Sequence, residues 1–257
     1  PKSVSWPVKN GTTIHGLLYP PISSRFCCKN LPPLIINIHS GPTSQIKKSF
    51  EERAQFFATR GWFFLDVNYR GSTGRGRDYM KQLQKNWGIV DIEDIVSALQ
   101  YMKDSKKIDP NRIVICGSSA GGYTVLRALT MYPGLFSAGL CIYGISDLFS
   151  LTQDTHKFEA HYLDKLIGPL PDYLTVYNER SPIFKAENIV DPIAIFHGEK
   201  DTVVPISQAE ELITILSRRG IPHAYYSYKN EGHGWKNPET VKSFYEDMDL
   251  FLRHHVL

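Results

Sequence analysis

The stretch Ile113 to Leu129, IVICGSSAGGYTVLRAL, constrains the fold more than any other part of the chain. Ile113, Val114 and Ile115 form an apolar, β-branched run; Gly117-Ser118-Ser119-Ala120-Gly121-Gly122 is a turn; Val125, Leu126 and Leu129 then follow at helical spacing. In a strand, turn and helix of this kind the central serine is forced into a conformation that only small neighbours permit. Gly117, Gly121 and Gly122 therefore have a steric job, and the Ser119 hydroxyl stands clear of the end of a sheet. Gly-x-Ser-x-Gly also arises by chance, so its weight comes from its place between an apolar strand and a helix.

The rest of the chain alternates in the same way. Trp6 to Pro20, with a turn at Asn10-Gly11, reads as an opening hairpin or edge strand. Leu34 to His39 and Trp62 to Tyr69 are almost unbroken apolar runs, the pattern of strands covered on both faces. They run into Ser40-Gly41-Pro42 and the glycine-rich loop Arg70 to Gly76. Phe50, Ala54 and Phe57 make an amphipathic stretch between them. Asp91 to Lys103, Pro205 to Arg219 closed by Gly220, and Pro238 to His254 read as helices. Ala138 to Tyr143, Ile193 to His197 and Ala224 to Tyr228 read as strands. Strands alternating with helices, without internal repeats, predict an α/β fold with a mostly parallel central sheet and helices on both faces. Gly144 to Arg180 shows no clean period. With His156, Phe158, His161, Tyr162, Tyr173 and Tyr177 it is expected to be a small lid inserted over the sheet. The 257 residues suit one such domain, spanning 1–257.

Composition narrows the function classes. Charged residues make up 21% of the chain, the formal net charge is only +3, and no basic run exceeds Lys47-Lys48 or Lys106-Lys107, so no nucleic-acid surface is expected. The glycine run 70–76 has neither the Gly-Lys-Ser/Thr end of a P-loop nor Gly-x-Gly-x-x-Gly spacing. Cys27, Cys28, Cys116 and Cys141 form no disulfide framework or zinc spacing, and no metal or other cofactor is expected. No apolar run approaches the ~20 residues of a membrane span, and no signal peptide is visible. The expectation is a cytoplasmic protein without a membrane anchor. The chain begins at Pro1, as a processed product or fragment would, and the sequon Asn10-Gly11-Thr12 matters only in a secreted protein.

A serine hydroxyl is a poor nucleophile near neutral pH and needs a base within hydrogen-bond reach, itself oriented by a carboxylate. Asp201 follows the strand after the lid and His233 follows the final strand, each in a glycine-rich loop, and the chain order Ser, Asp, His is the one used on α/β-hydrolase sheets. Asp147, after the strand 138–143, is the rival carboxylate, but Asp201 lies one strand later in the more usual slot. His197 falls inside its strand and His254-His255 in a terminal helix. The developing oxyanion needs preorganised donors: the backbone N–H of Ala120 is geometrically available, and Gly41 is expected to supply the second. Tyr123, Tyr143 and Val204 are assigned to substrate binding.

The ordered motifs HSGPTS, NYRGSTGRGRDY, NWGIVDIEDI, GSSAGGYT, THKFE, RSPI, HGEKDTVVP and EGHG resemble the catalytic domain of the prolyl oligopeptidase family of serine peptidases. The likeness is nearest its acylaminoacyl-peptidase and dipeptidyl-aminopeptidase branch and runs from about Trp6 to the end. The resemblance implies an α/β-hydrolase fold, Ser119 as nucleophile with Asp201 and His233, an oxyanion site at Gly41 and Ala120, and hydrolysis of short or N-blocked peptides through an acyl-enzyme. A carboxylesterase acting on small acyl esters would use the same machinery. A non-catalytic scaffold is disfavoured because all three triad candidates are present. Two departures stand out. The family pattern at the oxyanion loop is usually His-Gly-Gly-Pro, and here Ser40 stands second. Family members also usually carry an N-terminal β-propeller, which this chain lacks, so it is expected to be either a fragment or a stand-alone hydrolase. An oligomer is compatible with either.

Overall fold

The computed structural model describes residues 1–24, 30–153 and 162–257. Cys27 and Cys28, and the lid candidates His156, Phe158 and His161, lie outside the described residues. In chain order the elements are β1 (Lys2–Pro7), β2 (Thr13–Tyr19), β3 (Leu34–Ile38), α1 (Glu52–Ala58), β4 (Phe63–Asn68), α2 (Arg77–Lys81), α3 (Val90–Asp104), β5 (Ile113–Ser118) and α4 (Ala120–Met131). They continue with β6 (Ala138–Ile142), α5 (Leu148–Gln153), α6 (Tyr162–Leu166), α7 (Leu174–Arg180), a 3-10 helix (Pro182–Asn188), β7 (Ile193–Gly198), α8 (Ser207–Arg219), β8 (His223–Tyr228) and α9 (Pro238–His255).

The eight strands form one sheet in the order β1-β2-β4-β3-β5-β6-β7-β8. β2 runs antiparallel to both β1 and β4, and every pairing from β4 to β8 is parallel. Side chains alternate along each strand, so the apolar runs feed two cores. Ile35, Phe64, Val114 and Cys116 face one way and pack with Phe57 of α1 and Phe244, Met248 and Phe251 of α9. Leu34, Ile36, Leu65, Ile113 and Ile115 face the other way and pack with Ile92 and Ile95 of α3, Leu126 and Leu129 of α4, and Leu212 and Leu216 of α8. Ile36 and Ile115, both fully buried, sit opposite one another in the β3–β5 register; truncating either to Ala would cost about 2–5 kcal/mol. Covering both faces leaves the carboxyl ends of β3, β5, β6, β7 and β8 as the place where loops converge.

Two stretches differ from the sequence reading. Phe50 is 77% exposed, because α1 starts only at Glu52 and only Ala54, Phe57 and Ala58 are buried by it. Within 144–180 the described residues form α5, α6 and α7, of six, five and seven residues, followed by the 3-10 helix. Each is too short to establish a 3.6-residue period, yet Leu163, Leu166, Ile167 and Tyr177 are buried in the same core as α3 and α4.

Candidate active site

β5 ends at Ser118 and α4 begins at Ala120, which leaves Ser119 as the single residue of the turn, at φ 54° and ψ −119°. Such a conformation costs a non-glycine residue of order 1–3 kcal/mol and persists only where the surroundings over-determine it. Here they do. A methyl group on Gly117 would collide with the Gly121 carbonyl, one on Gly121 with the Ile38 carbonyl, and one on Gly122 would stand 2.6 Å from Gly144 Cα. The start of α4 is thus pressed against the ends of β3, β5 and β6. The Ser119 N–H donates to Ile142 O (2.9 Å) and the Ser119 carbonyl accepts from Tyr123 N–H (2.9 Å), which fastens both peptides flanking the serine.

His233 lies on the loop after β8. Buried Glu231 closes this loop by accepting the N–H groups of Lys236 (2.8 Å) and Asn237 (2.9 Å). His233 Nδ1 lies 2.7 Å from Asp201 Oδ2, and His233 Nε2 lies 2.9 Å from Ser119 Oγ. An ionised carboxylate only accepts, so Nδ1 carries the proton and Nε2 is left to accept the serine hydroxyl. Asp201 Oδ1 accepts the N–H groups of Val203 (2.8 Å) and Val204 (2.9 Å). Burial works to raise the pKa of Asp201, but the bonds from His233, Val204 and Val203 outweigh it and hold the carboxyl below its ordinary value.

Asp147, the rival carboxylate, is occupied elsewhere: it accepts from Phe149 N–H (2.9 Å), Ser150 N–H (3.3 Å) and the Ser150 hydroxyl (2.6 Å) at the start of α5. His197 is fully buried and donates Nε2–H to Val204 O (2.8 Å), behind the Asp201 loop.

The loop after β3 carries Gly41 to the same place. His39 Nδ1–H donates to Ser40 O (2.8 Å), its Nε2 accepts the Ser72 hydroxyl (2.7 Å), and its ring stacks on Tyr69 at 4.4 Å. Burial, opposed only in part by the bond to Ser40, pushes His39 down to about 4, so it stays neutral in this role. Because the Ser40 carbonyl and the Gly41 N–H belong to one trans peptide, holding the first aims the second in the opposite direction. Among the described residues neither Gly41 N–H nor Ala120 N–H donates to a backbone carbonyl.

Gly41, Ala120, Ser119 and His233 all border a cavity of about 240 Å³ whose walls are Pro42, Trp87, Ile145, Leu151, Tyr162, Leu163, Val203 and Val204. Val204 was anticipated there. Tyr123 and Tyr143 are not among its walls. Tyr123 is fully buried, with its hydroxyl donating to Arg180 O (3.1 Å) and its ring against Trp87 at 4.4 Å, so it supports the wall from behind. Tyr143, at φ 37°, lays its ring 4.5 Å from the His233 ring and 5.4 Å from Trp235. The sequence reading missed Trp87, Leu163 and Pro42; the apolar Trp87 within Asn-Trp-Gly and the proline beside Gly41 were the available signals. Among the described residues no group of three His, Cys, Asp or Glu side chains is placed to hold a metal ion, and no helix is long and apolar enough to cross a membrane.

The model of the prolyl oligopeptidase family matches residues 48–257. Dipeptidyl aminopeptidase BIII of Pseudoxanthomonas mexicana is 30% identical over 225 residues, which is 86% of this chain and 33% of that protein. The acylamino-acid-releasing enzyme of Arabidopsis thaliana is 28% identical over 218 residues, 81% of this chain and 28% of that protein. Among solved structures, a Mycobacterium tuberculosis puromycin-hydrolyzing peptidase superposes with a TM-score of 0.96 at 36% identity, over 100% of this chain and 39% of that one. A puromycin hydrolase gives 0.94 at 33% identity, over 98% and 39%. The chain spans about a third of the length of the curated relatives it matches.

Proposed function

The chain belongs to the prolyl oligopeptidase family and has an α/β-hydrolase fold, and from this we propose that it is the hydrolase unit of a serine peptidase that cleaves short or N-blocked peptides through an acyl-enzyme. The observation that carries the reading is the hydrogen-bonded chain Ser119 Oγ, His233 Nε2, His233 Nδ1, Asp201 Oδ2, at 2.9 and 2.7 Å. One relative is named a dipeptidyl aminopeptidase and one similar solved structure a puromycin-hydrolyzing peptidase, which favours amide over ester bonds as the natural target.

In the proposed reaction Ser119 Oγ attacks the scissile carbonyl carbon while its proton passes to His233 Nε2. Asp201 keeps the Nδ1–H tautomer and balances the imidazolium that forms. The carbonyl oxygen, now an oxyanion, accepts from Gly41 N–H and Ala120 N–H, donors already oriented by the bonds that hold Ser40 O and Ser119 O. His233 then gives its proton to the leaving amine nitrogen as the carbon–nitrogen bond breaks, leaving an ester on Ser119. Water, deprotonated by the same Nε2, cleaves that ester and returns the hydroxyl. The cavity beside Ser119 would receive the side chain on the acyl side of the bond.

A fluorophosphonate probe tests the assignment. It should label the chain on Ser119, with labelling lost in Ser119→Ala, and aminoacyl p-nitroanilides should be turned over by the parent and not by that variant. Undiminished labelling of Ser119→Ala would remove Ser119 from the role.

A further inference from the structure

Ser40 belongs to the backbone segment that carries Gly41 N–H, and its hydroxyl joins that segment to the one that carries Ala120 N–H. Ser40 Oγ donates to the carbonyl oxygen of Ser118 at 2.8 Å, across 78 residues of chain. Ser118 is the last residue of β5 and directly precedes Ser119. Ser40 is therefore held twice: its carbonyl accepts His39 Nδ1–H at 2.8 Å, and its hydroxyl is anchored on the strand that delivers the nucleophile.

We propose that Ser40 is a positioning residue for the reaction, its hydroxyl bonding the Gly41 loop to the Ser118 carbonyl and so setting the separation of the Gly41 and Ala120 N–H donors. The inference rests on the reading of Ser119 as nucleophile and of these two N–H groups as the oxyanion site.

The geometry explains why a side chain here has an effect that the backbone alone does not supply. Gly41 is at φ 132°, a conformation in which glycine is soft, and among the described residues the loop 39–42 is also held by the His39 ring, by Tyr69 Oη, which donates to His39 O (3.3 Å) and Pro42 O (3.0 Å), and by Ser44 N–H, which donates to Pro42 O (3.0 Å). Those bonds all fix the loop to itself or to β4 and its following loop. The Ser40 hydroxyl is a direct side-chain bond from this loop to the nucleophile strand. An oxyanion donor acts in proportion to how closely it is aimed before the reaction, so loosening this bond should weaken transition-state stabilisation and leave substrate binding in the apolar cavity alone.

The test uses Ser40→Ala and Ser40→Gly in the full chain, with p-nitrophenyl ester turnover expressed per site labelled by fluorophosphonate, so that misfolded protein does not count. The expected result is kcat reduced about 3- to 30-fold in both variants with KM within about twofold of the parent, and a matching weakening of phenylboronic acid inhibition. A parent-like kcat per labelled site in Ser40→Ala overturns the proposal, even if its melting temperature falls, because that is the mark of a purely structural hydroxyl. A parent chain that neither turns over ester nor is labelled at Ser119 overturns instead the reading of the site on which the proposal rests.

Discussion

Asp201 and His233 are joined by a single bond, Oδ2 to Nδ1 at 2.7 Å, while the other Asp201 oxygen is fully used by two backbone N–H groups of its own loop. The carboxylate is therefore immobile and presents one acceptor, in one direction, to the imidazole. In Asp201→Asn the loop bonds can be kept by the amide oxygen, which turns the amide N–H groups toward Nδ1 and favours the wrong tautomer. Turnover should fall about 10⁴-fold with the fold intact. Asp147→Asn, at the start of α5, should change turnover by no more than a few-fold and, because Asn caps a helix about as well as Asp, leave stability within about 1 kcal/mol of the parent. Parallel kcat and melting measurements on the two variants check both statements, and a large loss in Asp147→Asn alone would reverse the assignment.

The glycines around Ser119 are not equivalent, and their contacts rank them. A Cβ on Gly121 meets the Ile38 carbonyl, a strand backbone atom that cannot retreat, whereas one on Gly232 has Lys200 O at an ordinary 3.4 Å. Gly121→Ala should destabilise by at least about 3 kcal/mol or prevent folding, and Gly232→Ala should stay within about 1 kcal/mol of the parent, although it neighbours His233. Urea denaturation of the two variants would decide; a well-folded Gly121→Ala with parent-like stability would show that α4 can move away from β3.

What could be read in the chain follows from how local each determinant is. The strand, turn and helix around Ser119 were legible because apolar β-branched residues, three glycines and a helical period lie within 17 residues. Asp201 and His233 were legible because each sits in a glycine-rich loop after a strand. The burial of Tyr123 was not legible, because helical spacing alone does not tell whether a side chain one turn beyond Ser119 faces a cavity or the core; its place is set by Trp87 and the Arg180 carbonyl. The short helices of 148–180 left no period to detect. The bond from Ser40 to Ser118 was invisible for a different reason: the sequence shows a small polar residue beside Gly41 but not the distant carbonyl it reaches.

Two buried groups tie stability to pH in opposite directions. Asp66 of β4 is fully buried, among the described residues accepts only from Asn37 Nδ2 (2.7 Å) through one oxygen, and is pushed up by burial to about 7 from 3.8. Its folded form holds a proton that the unfolded chain has lost, so its contribution is present below 3.8 and lost as pH rises through about 7. His39, pushed down to about 4 from 6.5, does the reverse: its contribution is present above 6.5 and lost as pH falls toward about 4. Between pH 4 and 6.5 the two nearly cancel. Asp66→Asn removes one side of that balance, so its stability relative to the parent should increase from pH 5 to pH 8 by about 2–3 kcal/mol. Chemical denaturation at the two pH values measures this, and a pH-independent difference would contradict the neutral buried carboxyl.

In the proposed reaction the walls of the cavity beside Ser119 set what the acyl side of a substrate can be. Trp87, Ile145, Leu151, Leu163 and Val204 are apolar, and apart from His233 no ionisable group but the Tyr162 phenol borders the space among the described residues; that phenol is engaged, donating to Thr43 Oγ1 at 2.8 Å. A Lys or Glu side chain entering there would be desolvated without a partner, at a cost of several kcal/mol, whereas apolar side chains differ by only about 1–3 kcal/mol as methylenes are added or removed. Across Phe, Leu, Ala, Lys and Glu p-nitroanilides, kcat/KM should therefore spread over about 10–100-fold among the first three and fall by a further 10²-fold or more for the charged pair. Leu163→Ala enlarges one wall without touching Ser119, His233 or the N–H donors, so it should shift the ratio of Phe to Ala turnover toward Phe while leaving fluorophosphonate labelling unchanged. Equal turnover of Lys and Leu anilides by the parent would show that the acyl side chain is bound somewhere other than this cavity.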